Sequence, residues 1–178
     1  PPQARAASMI LRPATPADAP ALAKLGAETF VAAFGHLYHP EDLAAFLAEV
    51  HNPEAVAGEI AGNTCTHCLV EADGALVAFC KLRYPTKFAG HTDARDPIEL
   101  GQLYALPTHT GTGVGGQLMD WALGHARENG HDAVLLSVYA ENFGAQRFYQ
   151  RHGFAKIADI TFKVGEQLDP EFLYELKL

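Results

Sequence analysis

Three groups in this 178-residue sequence have the residue types and spacing to do chemistry. The most informative is the run Thr110-Gly111-Thr112-Gly113-Val114-Gly115-Gly116. It follows the apolar Leu103-Tyr104-Ala105-Leu106-Pro107 and leads into an amphipathic stretch. A glycine loop that leaves a strand and enters a helix exposes converging amide protons at the positive end of the helix dipole. That is the simplest way for a backbone to hold a phosphate. The second group is Asn142, Ala145 and Tyr149, which at i, i+3 and i+7 share one helix face with Tyr149 as the titratable member. The third is Glu99, a carboxylate in an otherwise apolar stretch, read equally well as a group serving a site or as a strand-edge acid facing solvent.

The elements that must position these groups can be read in order along the chain. Met9-Ile10-Leu11-Arg12 reads as a first strand. Thr15 as N-cap, Pro16 in the first turn and Asp18 at the third position announce a helix carrying Leu22, Leu25, Phe30 and Phe34 on one face, and Gly35 ends it. His39-Pro40 opens a second helix with Leu43, Phe46, Leu47 and Val50, and Asn52-Pro53 opens a third. Strands follow at 65–71 and 75–84, joined by the hairpin signal Ala72-Asp73-Gly74. Residues 85–97 read as a loop. Then come a strand at 98–106, the glycine loop, a helix at 113–129, a strand at 133–139, a helix at 142–152, and strands at 155–164 and 171–178. Asn129-Gly130 and His152-Gly153-Phe154 read as helix C-caps, the second with the apolar follower of a Schellman motif. The order is α+β, around a central strand–helix–strand unit.

Composition bounds the function. Hydrophobic residues make up 48% and charged residues 19%, the balance of an ordinary globular protein of one domain. No apolar stretch approaches the roughly 20 residues that span a bilayer, and the start carries no long apolar segment of a signal peptide. A cytoplasmic location, with no membrane partner, is therefore expected. Residues 1–7 read as a disordered lead-in or a vector-derived remnant. A net charge of −8 argues against a nucleic-acid binder, which needs a basic surface to displace counterions, and an acidic field attracts an amine. The odd count of three cysteines favours free thiols, and Cys65-Thr66-His67-Cys68 alternates into Leu69-Val70 as a buried strand would. No second pair completes a zinc site, His36 and His39 only flank a helix boundary, and no metal is expected.

Gly111-x-Gly113-x-x-Gly116 also satisfies the dinucleotide-binding fingerprint. In that unit the first glycine follows the strand almost directly, and an acid about 20 residues on holds the ribose. Here Pro107-Thr108-His109-Thr110 intervenes, Glu141 lies too far along, and no parallel repeats precede the loop. The dinucleotide reading is set aside.

Taken together, the loop and the later motif resemble the acetyl-coenzyme A (acetyl-CoA) binding core of the GCN5-related N-acetyltransferases. Ala105-x-Pro107 stands for the family's strand end, Gly113 and Gly115 for its motif glycines, and Leu118-Met119 for the helix's apolar continuation. The later pattern Asn-x-x-Ala-x-x-Phe-Tyr-x-x-x-Gly-Phe is matched in full by Asn142, Ala145, Phe148, Tyr149, Gly153 and Phe154. The core match covers roughly residues 98–155. Thr110 departs from the family's Arg or Gln, and Thr112 from a frequently basic position. Pyrophosphate would thus be held by amides, hydroxyls and the helix dipole without a guanidinium. Glu28-Thr29-Phe30, Phe34, Pro40-Glu41-Asp42-Leu43 and the ending Leu173-Tyr174-Glu175-Leu176-Lys177-Leu178 resemble the polyamine-acetylating PaiA-like branch.

The resemblance implies one N-acetyltransferase domain over residues 8–178. Its α+β fold would hold a mixed, mostly antiparallel sheet with a central parallel strand–helix–strand crossover and helices on both faces. It implies acetyl-CoA as cosubstrate, held by Leu103, Tyr104, Ala105, Thr110, Gly111, Thr112, Gly113, Val114, Gly115, Gly116, Asn142, Ala145 and Tyr149. Tyr149 would protonate the departing thiolate, since the reference pKa values of a phenol and a thiol, about 10 and about 8.5, are close enough to share a proton. Amides of residues 103–105 would meet the oxyanion, and Glu99 would take the proton of an acceptor amine that arrives charged. Phe30, Phe34, Tyr38 and Tyr139 would line the acceptor pocket, with Tyr104 beside them; Phe148 reads as core and His109 as an exposed loop residue. The implied activity is acetyl transfer to the primary amine of a small molecule, a polyamine among them, with room for a homodimer. Its rivals are acetylation of a protein N-terminus or lysine, and a non-catalytic acyl-CoA sensor.

Overall fold

The structure, a computed structural model, describes residues 9–178; the lead-in 1–7 and Ser8 lie outside the described residues. Strand β1 (Met9–Pro13) is tied to its neighbours by Arg12, whose guanidinium reaches Asp18 at 2.7 Å and Glu71 at 2.8 Å. Asp18 in turn accepts from the Thr15 amide at 2.7 Å, starting a 3-10 turn (Pro16–Asp18) that feeds helix α1 (Ala19–Phe34). Gly35 does follow the helix, but with φ −54 it is right-handed and opens a second 3-10 turn, Gly35–Leu37. Tightening ends α1, and no left-handed cap is used. Helix α2 (Pro40–Val50) and helix α3 (Pro53–Ala61) follow, α3 capped by Asn52 Oδ1, which accepts from the Ala55 amide at 2.8 Å.

The hairpin of β2 (Cys65–Ala72) and β3 (Ala75–Arg83) turns on Asp73-Gly74. Next come β4 (Pro97–Ala105), helix α4 (Val114–Glu128), β5 (Ala133–Tyr139), helix α5 (Phe143–Arg151), β6 (Ala155–Val164) and β7 (Gln167–Lys177). Helix α5 ends in the expected Schellman pattern: the Phe154 amide donates to Tyr149 O at 3.1 Å and the Gly153 amide to Gln150 O at 3.0 Å. Strand β7 starts four residues earlier than expected because Pro170 hid it. Pro170 lies just past the end of β5, where its carbonyl accepts from Ala140 at 3.0 Å and a missing N–H leaves the ladder intact.

The seven strands lie in the order β1-β2-β3-β4-β5-β7-β6, and β4–β5 is the parallel pair. The expected fold class is the one observed. Helix α4 buries Leu118, Met119 and Ala122 completely against one face, a contribution of about 1.5–3 kcal/mol for each large side chain. The other face carries α1 and α3 over Leu69 and Phe79, and α1 with α2 around Phe30, Phe46 and Val164. The β6–β7 hairpin is fixed to α2 through its turn, where the Glu166 amide donates to Asp42 Oδ1 at 2.9 Å.

Candidate functional site

The sheet opens at its centre. Strands β4 and β5 pair only at Pro97↔Ala133, Ile98↔Val134 and Glu99↔Leu135; beyond that, β4 follows β3 and β5 follows β7. A bulge starts the divergence, since Leu82 faces Leu100 while Lys81 faces Gln102, leaving Gly101 unpaired. The Leu106 amide donates to Val77 O at 2.9 Å on the β3 side, so alternation along the strand turns the Leu103 and Ala105 N–H groups toward the gap. A cavity of about 350 Å³ opens there, within the usual range of small-molecule sites.

One side of the gap is built from backbone. Gly113 caps α4 in the left-handed region at φ +85, and Gly111 lies at φ +76. The first intrahelical bond runs from Gln117 N to Gly113 O at 3.1 Å, so the amides of Val114, Gly115 and Gly116 have no partner within the helix. A Cβ on Gly115 would stand 3.5 Å from Phe148 and 3.9 Å from Leu103, so loop, α5 and strand end meet there. Phe148 is half-buried, forming the floor of that junction as well as part of the core. Two expectations change. The Thr110 and Thr112 hydroxyls donate inward, to Pro107 O at 2.9 Å and His109 O at 2.5 Å, which leaves amides and dipole as the loop's donors. The Val114 side chain is buried in the core, so only its backbone faces outward. His109 is half-buried, its Nδ1 2.9 Å from the Thr108 hydroxyl.

Helix α5 brings Asn142, Ala145 and Tyr149 to the cavity wall. Asn142 caps the helix, its Oδ1 accepting from the Ala145 amide at 3.2 Å. Tyr149 packs between Phe148 and Phe154, and its hydroxyl makes no hydrogen bond among the described residues. Burial, and then the charge of Glu171, push its pKa up to about 12, so it stands protonated as a donor must. Glu99 does not face solvent. It is 5% exposed in the cavity wall, and its Oε1 accepts from the Thr86 hydroxyl at 2.9 Å and the Lys87 amide at 3.3 Å.

The opposite wall gathers Phe30, Phe34, Tyr38 and Tyr139, with Tyr104 between the two sides. Phe30 packs on Phe46 at 4.5 Å, Phe34 at 5.3 Å and Tyr38 at 5.9 Å. The Tyr38 hydroxyl donates to Asp169, which also accepts from Gln167 Nε2 at 2.8 Å; the Tyr139 hydroxyl donates to Glu141 at 2.7 Å.

Residues that sequence reasoning missed stand here too. Lys81, buried on β3, pairs with Glu59 at 2.8 Å, and Lys87 lies at the cavity rim. Glu171 on β7 is 9% exposed and lines the cavity, and its Oε2 is buried with no hydrogen-bond partner among the described residues. Burial, then repulsion from Asp169, raise its pKa to about 7 against an opposing pull from Lys87. The available signal was Asp169-x-Glu171-x-Leu173, an alternation that turns two acids to the inward face of a strand.

Among the described residues, no three His, Cys, Asp or Glu side chains gather as a metal site. Cys68 and Cys80 are buried opposite each other on β2 and β3, while Cys65 is half-exposed and donates to Glu59 at 3.2 Å. No helix among the described residues is long and apolar enough to cross a membrane.

A family model described as the acetyltransferase (GNAT) family matches residues 24–154. An uncharacterised N-acetyltransferase of Mycobacterium tuberculosis is 31% identical over 156 residues, which is 88% of this chain and 95% of that one. Another, from the pepI 3′ region of Lactobacillus delbrueckii subsp. lactis, is 27% identical over 161 residues, 90% and 92% of the two chains. The PaiA N-acetyltransferase of Thermoplasma acidophilum in complex with coenzyme A shares the fold at a TM-score of 0.79 and 21% identity, over 96% of this chain and 99% of that one. The yncA protein of Salmonella typhimurium with its cofactor acetyl-CoA does so at 0.66 and 20%, over 96% and 94%.

Proposed function

The chain belongs to the acetyltransferase (GNAT) family, and on that premise we propose that it transfers the acetyl group of acetyl-CoA to the primary amine of a small molecule, a class that includes the polyamines. The observation that carries this reading is the opened sheet. The outward-turned Leu103 and Ala105 amides share one gap with Tyr149, and the amides that begin α4 lie beside it, where Gly115 meets Phe148 and Leu103.

The residues present fit the cosubstrate. Amides of the Gly113–Gly116 turn and the α4 dipole are suited to a pyrophosphate, with the approach to Gly113 open. The Leu103 and Ala105 amides are fixed donors for a thioester oxygen that gains charge during attack. Tyr149 supplies a proton to the departing sulfur. An alkyl amine, with a reference pKa of about 10.4, arrives protonated and must lose a proton before it attacks. Two carboxylates in the wall, Glu99 and Glu171, are at hand to take it.

The acceptor wall supports a small substrate over a peptide. The β6–β7 turn is bonded to α2 and Gln167 Nε2 donates to Leu37 O at 3.3 Å, which closes the aromatic side around Phe30 and Phe162. The test is incubation with labelled acetyl-CoA and a pooled panel of small primary amines, lysine peptides and N-terminal peptides, scored by thiol release and product mass. Acetylated small amines are expected. Modification of peptides alone would turn the reading to protein acetylation, and acetyl-CoA binding without thiol release would turn it to a sensor.

A further inference from the structure

We propose that Glu171, on the final strand, receives the acceptor's ammonium group and takes its proton, while Glu99 holds the cavity wall in shape. This rests on the acetyl-transfer reading of the same site.

The two carboxylates differ in place. Glu99 pairs with Leu135, at the closed end of the gap, whereas Glu171 stands opposite Tyr139, where β5 ends and the gap is open. Leu135 and Tyr139 are four residues apart, roughly 13 Å along the strand. The Leu103 and Ala105 amides lie beyond the Gly101 bulge, toward the same open end as Glu171.

They differ as strongly in partners. The Oε1 of Glu99 is engaged by Thr86 and by the Lys87 amide, which anchors the segment between β3 and β4. The Oε2 of Glu171 is buried with no donor among the described residues. Native proteins rarely leave such an atom orphaned, and an ammonium brings three N–H donors. The ionisable groups that face Glu171 are Asp169 on its own strand, Lys87 from the segment before β4, Tyr38 after α1, Tyr104 on β4, Tyr139 on β5 and Tyr149 on α5. Both Asp169 oxygens are occupied by Tyr38 and Gln167, so the unsatisfied carboxylate is Glu171. Its raised proton affinity, near 7, suits a group that takes a proton at neutral pH and gives it to solvent afterwards.

The proton balance is complete. The ammonium gives one proton to Glu171, and the freed lone pair forms the C–N bond at the thioester carbonyl. The C–S bond breaks, and Tyr149 protonates the sulfur and takes back the surplus proton of the new amide nitrogen. Glu171 then releases its proton to water, so ammonium and thioester yield amide, thiol and one proton.

The test compares wild type, E171Q and E99Q on two acceptors: spermidine, charged at neutral pH, and methoxyamine, which is already neutral. Acetyl-CoA binding and melting temperature are read on the same preparations. E171Q is expected to keep acetyl-CoA affinity and to melt no lower than wild type, because it removes an unpaired buried charge. Its kcat/KM for spermidine should fall by about 10²- to 10⁴-fold. Methoxyamine turnover should fall less than about tenfold, since no proton need be taken from it. The rise of wild-type kcat/KM through pH 7 should vanish with it. Equal losses on both amines, lost acetyl-CoA binding, or full spermidine activity in E171Q with the loss seen in E99Q would each overturn the assignment. Wild-type protein that binds acetyl-CoA but acetylates neither amine nor any member of the panel would overturn the acetyl-transfer reading itself, and Glu171 with it.

Discussion

The two sides of the opened sheet are made in different ways. The side toward α4 and α5 comes from one stretch, residues 103–154, and works through backbone: a left-handed turn, free amides and a helix cap. The opposite side, the proposed acceptor wall, is assembled from α1, α2, β3, β6 and β7, spanning Phe30 to Glu171, and is built of side chains. A backbone site is set by local conformation and leaves a pattern of residues. A side-chain site exists only when distant elements dock in register, so it can change while the first stays constant.

The largest effect that would sharpen this contrast is expected at Tyr149, where the two sides meet. Tyr149→Phe removes one hydroxyl that makes no hydrogen bond among the described residues, so fold and acetyl-CoA affinity should hold while kcat falls by about 10²- to 10⁴-fold. A folded variant with wild-type turnover would remove Tyr149 from the chemistry.

Two glycines test the sides separately. A Cβ on Gly165 would fall 2.3 Å from Asp42 Oδ1 and 2.6 Å from Asp42 Cα, at φ +58. Gly165→Ala should therefore loosen the β6–β7 hairpin from α2 and cost about 2–4 kcal/mol. The KM for the amine should rise and the Kd for acetyl-CoA should stay put; equal changes in both would show that the sides are coupled. Gly113→Val is the mirror experiment. Nothing lies within 4 Å of a Cβ there, so the penalty comes from φ +85 and from blocking the approach to the amides. The strain, about 1–3 kcal/mol, would weaken acetyl-CoA binding by about 5- to 100-fold. An unchanged Kd in a folded Gly113→Val protein would break the phosphate-loop assignment.

The smallest effect separates the sides by pH. His51 and His67 are buried and neutral, and burial lowers each from 6.5 to about 4. Below pH 6.5 the unfolded chain takes up protons that these folded histidines refuse, so their contribution to stability falls as pH drops toward 4 and is flat above 7. Glu171, with its raised proton affinity, works in the opposite direction between pH 4.5 and 7. From pH 7 to 5.5 the loss should be about 1 kcal/mol for each histidine. His51 packs against Phe30, Phe46 and Tyr104, so hydrogen exchange in α2 and α3 should quicken before that in α4. A His51→Gln, His67→Gln double variant with the same acid slope would refute this.

Taken alone, the sequence determined the elements and the loop. Asp73-Gly74 turns the β2–β3 hairpin, β5 and β6 run over the expected residues, and His152-Gly153-Phe154 closes α5 as anticipated. Periodicity, proline, capping residues and glycine act within a few residues of themselves, and so they are readable in one dimension. Tertiary structure decided which way the chemistry faces. The inward burial of Glu99, the buried side chain of Val114 and the inward-bonded hydroxyls of Thr110 and Thr112 depend on packing that no local rule contains. Glu171 is the strongest case. It is one acid among many in the sequence, and it becomes a buried carboxylate with an unsatisfied oxygen only because a bulge at Gly101 opens the sheet, and β7 pairs with β5 so that residue 171 falls opposite Tyr139. Register and strand order are settled by contacts between segments far apart in the chain, and burial, charge and proton affinity follow from them.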